Sequence, residues 1–355
     1  MRILVIQQKR IGDVLTSTII CNNLKSAYPD AKIDYMCYPN SIDVLKENPN
    51  ISEVIVLTPK VKKSIPLFLK FISEIRSRKY DAVIDVYSKL GSSLITLFSG
   101  AKFKISYYKW YSGIFYNHTF KRFDAVKSEH GLAIENRLLL LKPLISEKIT
   151  DVKPKIFLTN SEVQEAKELL LKHNIDPKNK MLIMFGILGS EVYKTYPLDR
   201  MAKIIDFTVS KTGATIIFNY FPDQIELARE VYNYCEEETK KNIVFDLYGK
   251  DLRSFLAILS QCEMLIGNEG GAVNMAKALE IPTFSIFTPS VRKETWQLFE
   301  NEAKNVSVHL KDLKPEIYQQ HTEQYIKEHT LKYYDEYPFE LLLEKLDTYF
   351  KEYKN

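Results

Sequence analysis

LIGNEGGAVNMAKALEIPTFSIF, residues 265–287, reads in order as a strand, a glycine turn, a helix and a second strand. The apolar run Met264–Ile266 is too short for a helix and has the look of a buried strand. It ends at Gly267; Asn268 and Glu269 follow, and Gly270-Gly271 leads straight into a helical pattern over Gly271–Leu279. Thr283–Phe287 then resumes as strand. Apolar strands separated by helices argue for a parallel sheet covered on both faces.

The same alternation extends outward. Upstream lie strand Met181–Phe185, helix Leu198–Ser210, strand Ala214–Asn219, helix Asp223–Glu236, strand Asn242–Phe245 and helix Leu252–Ser260. The N-terminal half repeats it, with strands Arg2–Ile6, Lys32–Met36, Glu53–Leu57, Ala82–Val86 and Phe103–Ser106. Helical spacing covers Val14–Ala27 and Ser64–Arg78, and a longer helix, His130–Leu144, closes this half at Pro143. DVKPKIFLT, residues 151–159, reads as a linker. The expected organisation is therefore a first domain over residues 1–152 and a second over 153–335. A last helix in 336–355 is expected to pack back on the first domain.

At 355 residues the chain suits two domains of roughly 150 to 180 residues each. A 45% apolar and 26% charged composition belongs to a folded globular protein. No stretch approaches the roughly 20 apolar residues of a membrane span. MRILVIQQKR lacks a basic leader and a cleavage site, so it reads as a first strand and implies a cytoplasmic protein. The four cysteines (Cys21, Cys37, Cys235, Cys262) are scattered and read as free thiols. A net charge of +4 is too mild for nucleic acid. Charge is nevertheless uneven: Lys60 to Lys79 carries seven Lys/Arg against Glu74, and Gly100 to Ser128 carries six against Asp124. Such blocks are either solvated faces or a surface facing phosphorylated lipid.

Tandem open sheets put chemistry on the loops after their strands. After the first strand comes QQKRIGDVLTST, where Gly12 would allow a tight turn at a helix start that favours anions. Asp13 in that first turn is either an acid serving the helix dipole or a general base taking an acceptor's proton. Lys9 and Arg10 beside it offer charge for a phosphate. In MFGILGSEVYKTYPLDR, Gly189 and Ser190 allow close approach to a ligand, and Lys194 could meet a diphosphate leaving group. Gly270-Gly271 supplies bare N–H groups at a helix start, again suited to phosphate. No Asp-x-Asp occurs to hold a metal on a diphosphate, so no metal is expected.

Four stretches, RIGDVLTST with AYPDAKIDYMC, HGLAIENRLLLL, GILGSEVYKTYP and LIGNEGGAVNMAKALEIPTFSIFTPS, together resemble glycosyltransferase family 9, the heptosyltransferase group. The resemblance runs from Met1 to about Pro289. It implies an α/β, GT-B fold of two doubly wound Rossmann-like domains facing across a cleft, with inverting, metal-independent transfer from a nucleotide sugar such as ADP-heptose. The acceptor it implies is a phosphorylated glycolipid of the lipopolysaccharide core, reached from the inner membrane face. The family's catalytic aspartate falls on Asp13 and its donor-side lysine on Lys194, with Gly189 and Ser190 at phosphate-contacting positions. The acid that holds the donor's ribose falls near Asp223. The family's D-[ST]-G-P-x-H motif reads Glu269, Gly270, Gly271, Ala272, Val273 and Asn274 here, so a hydroxyl and an imidazole are replaced. Asn274 can still donate through its amide and Gly270 through its N–H. The competing readings are a nucleotide-sugar epimerase of the same build and a non-catalytic nucleotide-sugar-binding scaffold.

Overall fold

The computed structural model describes residues 1–146, 151–176, 180–300 and 304–353. Two compact units divide them, each described by itself. The first comprises Met1–Phe157 with Glu294–Leu298, the second Leu158–Lys293 with Phe299–Asn355.

In the first unit β1 (Arg2–Ile6), β2 (Lys32–Cys37), β3 (Glu53–Val56), β4 (Ala82–Asp85), β5 (Phe103–Tyr107) and β6 (His118–Phe120) form one parallel sheet. Its order is β3-β2-β1-β4-β5-β6. In the second unit β7 (Leu182–Gly186), β8 (Thr215–Asn219), β9 (Ile243–Val244), β10 (Met264–Asn268), β11 (Thr283–Ile286) and β12 (Asn305–Val308) form another, in the order β12-β11-β10-β7-β8-β9. Counted within its own unit, the second sheet repeats the first, and both have the doubly wound order of dinucleotide-binding folds. Among the described residues no helix is long and apolar enough to cross a membrane.

Central strands read as continuous apolar runs because helices cover both faces. Ile3 to Ile6 of β1 are wholly inaccessible. The first helix, Ile11–Ala27, is buried on all sides from Val14 to Leu24. Its polar members are satisfied inside: Thr16 donates to the Gly12 carbonyl at 2.7 Å, and Asn23 to those of Ile19 and Asp151 at 2.8 and 2.5 Å.

Strand and helix ends shift from the sequence expectation by a few residues. The larger differences have local causes. His130–Leu144 contracts to a helix over Leu132–Leu139, and turns follow, with Leu144 N–H donating to the Leu141 carbonyl. Asp223–Glu236 splits into a tight turn, Pro222–Gln224, and a helix, Ile225–Tyr234. The edge strands β6 and β12 escape sequence reading because HTF and NVSV, three and four residues of mixed polarity, give no apolar run. The last helix, Phe339–Tyr353, does not place its apolar side in the first unit. Leu342, Leu346, Tyr349 and Phe350 enter the second unit's core, where the Tyr349 ring lies 5.7 Å from that of Phe284.

At Gly267 the approach of β7 leaves no room for a side chain on β10. Gly267 pairs with Gly186 at φ +141°, and a Cβ there would lie 2.3 Å from the Gly186 carbonyl oxygen. Gly267→Ala should cost at least about 2 kcal/mol of unfolding free energy in denaturant titration.

Asp85 ends β4 fully buried, accepting from Tyr116 Oη at 2.6 Å and Ser88 N at 2.8 Å. Burial pushes its carboxyl up from 3.8 to about 6; the bonds from Tyr116, Ser88 and Ser92 and the charge of Lys109 act against this. The folded protein therefore holds this proton more tightly than the unfolded chain, and stability falls as pH rises from about 4 to 6. The full difference is ~3 kcal/mol. Stability measured against pH should lose that component of its slope in Asp85→Asn, relative to the parent protein.

Candidate active site

In the first unit β1 and β4 are neighbours whose connections leave in opposite directions, which opens a crevice at their carboxyl ends. The loop Gln7–Arg10 emerges there. Gln7 is buried and donates from Nε2 to the Lys9 carbonyl at 3.1 Å. Gly12 is not the residue that turns the chain. Arg10 is, with φ +65° immediately before the helix, while Gly12 already lies in the first helical turn. The carbonyls of Gly12 and Asp13 accept from Thr16 and Ser17.

Asp13 is half-buried in that turn and meets Arg137, an arginine of the Leu132–Leu139 helix that is only 6% exposed. Arg137 Nη2 donates to Asp13 Oδ1 at 2.8 Å and to the Asp13 carbonyl at 3.2 Å. Nε donates to Ser17 Oγ at 2.8 Å and Nη1 to the Ala133 carbonyl at 2.7 Å. A buried guanidinium satisfied on three nitrogens is a rigid holder. It occupies Oδ1, while Oδ2 makes no hydrogen bond among the described residues. Nearby, Arg122 lies 3.9 Å from the centre of the Tyr107 ring. Lys9 and Arg10 are exposed, and neither forms an ion pair among the described residues.

In the second unit the corresponding neighbours are β7 and β10. Asn268, buried at the end of β10, clamps the two loops together. Its Nδ2 donates to the Gly186 carbonyl at 3.0 Å, and its Oδ1 accepts from Tyr196 N at 2.8 Å. Between those anchors runs the turn that carries Gly189, Ser190 and Lys194. Gly189 has no space for a side chain, since a Cβ would lie 2.4 Å from the Lys194 carbonyl. Gly189 N donates to Thr195 Oγ1 at 3.0 Å, and the Gly189 carbonyl accepts from Gln224 Nε2 at 2.9 Å. Ser190 is exposed and Lys194 half-buried.

Beside this turn the chain leaves β10 through Glu269 and Gly270, whose φ of +152° suits glycine, and enters the helix Gly271–Ala278. Gly271 is exposed at the helix start, and Asn274 lies half-buried one turn in. The helix's first N–H groups and the positive end of its dipole thus face outward beside the β7 loop. Burial raises the Glu269 carboxyl, against the pull of Lys194 and of the Thr288 hydroxyl at 3.5 Å. Glu269 and Lys194 feel each other's charge but form no ion pair within 4 Å among the described residues. Asp223 stands at the carboxyl end of β8, exposed, and its neighbour Gln224 rather than Asp223 reaches the Gly189 turn.

Below the turn lies an aromatic support that sequence reading did not find. Tyr196 is inaccessible, and its ring stands edge-on to Tyr334 and Tyr337 at 5.7 and 5.9 Å. Arg137, Asn268 and Gln224 were also missed. Arg137 alone carried a signal, a lone cation set directly before the apolar run LLLL. Among the described residues, no three His, Cys, Asp or Glu side chains are grouped to hold a metal ion.

Comparison with known proteins agrees with this architecture. "Lipopolysaccharide heptosyltransferase 3" of Escherichia coli K12 is 27% identical over 287 residues, covering 78% of this chain and 79% of that one. The crystal structure of a family 9 glycosyl transferase from Veillonella parvula superposes with a TM-score of 0.71 at 20% identity, covering 89% and 88%. The structure of E. coli ADP-heptose lps heptosyltransferase II gives 0.68 at 17%, covering 87% and 90%. The model of glycosyltransferase family 9 (heptosyltransferase) matches residues 68–326, well over half of the 355. That match begins beyond Asp13, whose place in the site rests on its own geometry. Two doubly wound sheets with their polar loops at the strand reversals, and a family match spanning both units, make this chain a glycosyltransferase and a member of glycosyltransferase family 9.

Proposed function

We propose that the chain moves a heptose from a nucleotide donor, ADP-heptose, onto the lipopolysaccharide core or a related envelope glycan, with inversion and without a metal. The observation that carries this reading is the Asp13–Arg137 pair at the carboxyl end of β1. A carboxylate anchored through one oxygen keeps the other for an acceptor hydroxyl. As that hydroxyl attacks the anomeric carbon, its proton passes to Asp13 Oδ2, and the bond from the sugar to the nucleotide's phosphate breaks. Negative charge then grows on the departing diphosphate. The Lys194 ammonium and the N–H groups at the Gly271 helix start are the groups proposed to meet it. The donor identity is supported by the relative named for ADP-heptose, and the acceptor by the lipopolysaccharide named in the curated relatives. Asp223, Ser190, Glu269 and Asn274 are proposed to line the donor side, and Lys9 and Arg10 to meet acceptor phosphates. We place the reaction on the cytoplasmic face of the inner membrane, with no part for nucleic acid.

Asp13→Asn should lower kcat by about two to four orders of magnitude while isothermal titration shows nucleotide affinity little changed. Near-parental turnover by that variant would remove Asp13 from the base role. Lys194→Ala should instead weaken binding of the nucleoside diphosphate roughly tenfold or more, the scale of one charge-assisted contact. Dialysis against a chelator should leave the transfer rate unchanged, and loss of activity restored by a divalent cation would refute the lysine-and-helix arrangement.

A further inference from the structure

The loops after β4 and β5 leave large apolar side chains uncovered. Leu90 is 68% exposed, Tyr108 51%, Trp110 88% and Ile114 70%. Single exposed apolar residues are ordinary on a soluble surface, but these four stand on adjoining segments. Lys109 Nζ donates to the Ser88 carbonyl, which ties the loop after β5 to the loop that leads into Leu90. Tyr108 N donates to the Phe120 carbonyl at 2.8 Å, and Lys121 Nζ lies 5.5 Å from the centre of the Tyr108 ring. Trp110 packs edge-on to Tyr111 at 5.2 Å, which leaves most of the indole in solvent.

Charge surrounds this apolar rim. On the loops at the carboxyl ends of β4, β5 and β6, from Lys89 to Lys127, stand five basic residues (Lys89, Lys109, Lys121, Arg122, Lys127) and one acid, Asp124. Protruding Trp, Tyr, Leu and Ile framed by lysines match a bilayer surface, where aromatic rings settle at headgroup level and basic side chains meet lipid phosphates. We infer that this rim of the first unit docks on an anionic phospholipid surface, with Trp110 and Ile114 entering the headgroup region. A surface for another protein would gain from a more even mixture of charge than this one, where basic residues outnumber the acid Asp124. The inference deepens the glycolipid reading above and rests on it for what docking serves: a lipid-borne acceptor would be met at the strand ends that also carry Asp13.

The intact protein should co-sediment with vesicles of phosphatidylcholine mixed with phosphatidylglycerol and remain in solution with phosphatidylcholine alone, no glycolipid being present in either. High salt should release it. Trp emission should shift to the blue on binding, and Trp110→Phe, which leaves Trp296 as reporter, should abolish the shift. The double variant Leu90→Ser, Ile114→Ser should lower the partition coefficient about tenfold. It should still transfer sugar to a deacylated, soluble acceptor at the parental rate. No sedimentation with either vesicle, or sedimentation untouched by the double variant, overturns the docking surface. So does a double variant that binds vesicles normally yet fails on the soluble acceptor, because the rim would then grip the acceptor's sugars. Vesicle binding without transfer to any acceptor would sink the proposed reaction while leaving the docking surface standing.

Discussion

Two neighbouring parallel strands whose crossovers leave in opposite directions cannot cover the ends they share. Right-handed crossovers send the chain after β1 to one side of its sheet and the chain after β4 to the other. The same holds for β7 and β10. Each unit therefore has one place where backbone N–H groups and loop side chains stand open beside a rigid, buried sheet. Asp13 in one unit, and Lys194 with Gly271 in the other, occupy those places, where loop groups stand free beside a firm support.

The firmness is specific. In the second unit it depends on the close passage of Gly267 against Gly186 and on Asn268, which uses both ends of its amide to hold the two loops. That clamp adds to the bonds that define the turn from Gly189 to Lys194, among them those to Thr195 Oγ1 and from Gln224 Nε2, and the one that Tyr334 Oη donates to the Tyr193 carbonyl. Tyr196, Tyr334 and Tyr337 fill the space beneath, so residues far along the chain stiffen a loop near its middle. In the first unit the holder is Arg137. Its burial would be costly unless its nitrogens were satisfied, and they are, by Asp13, Ser17 and Ala133.

Most of the central elements were legible from residues because burial on both faces produces unbroken apolar runs, and glycines mark the turns that follow them. Leu265 to Phe287 shows this well: its strand, glycine pair, helix and second strand all stand within a residue or two of where periodicity puts them. Reading failed where the local signal was weak or the partner distant. The edge strands β6 and β12 mixed polar with apolar residues, and Gly12 drew attention away from Arg10, whose positive φ no propensity suggests. The last helix was read correctly as amphipathic, but an amphipathic pattern says that an apolar face must be covered and not by what. The second unit's core covers it.

Sequence alone determined the class of fold, the alternation that builds two parallel sheets, and the loops on which polar chemistry had to lie. These follow from local periodicity and from the backbone demands of glycine, both written into neighbouring residues. Tertiary structure alone decided that Asp13 is held by an arginine 124 positions away, that Asn268 joins two strand ends, and that the C-terminal tyrosines support the Lys194 turn. Such pairings depend on where the chain returns in space, and a hydrogen bond between distant residues leaves no mark on the spacing of either.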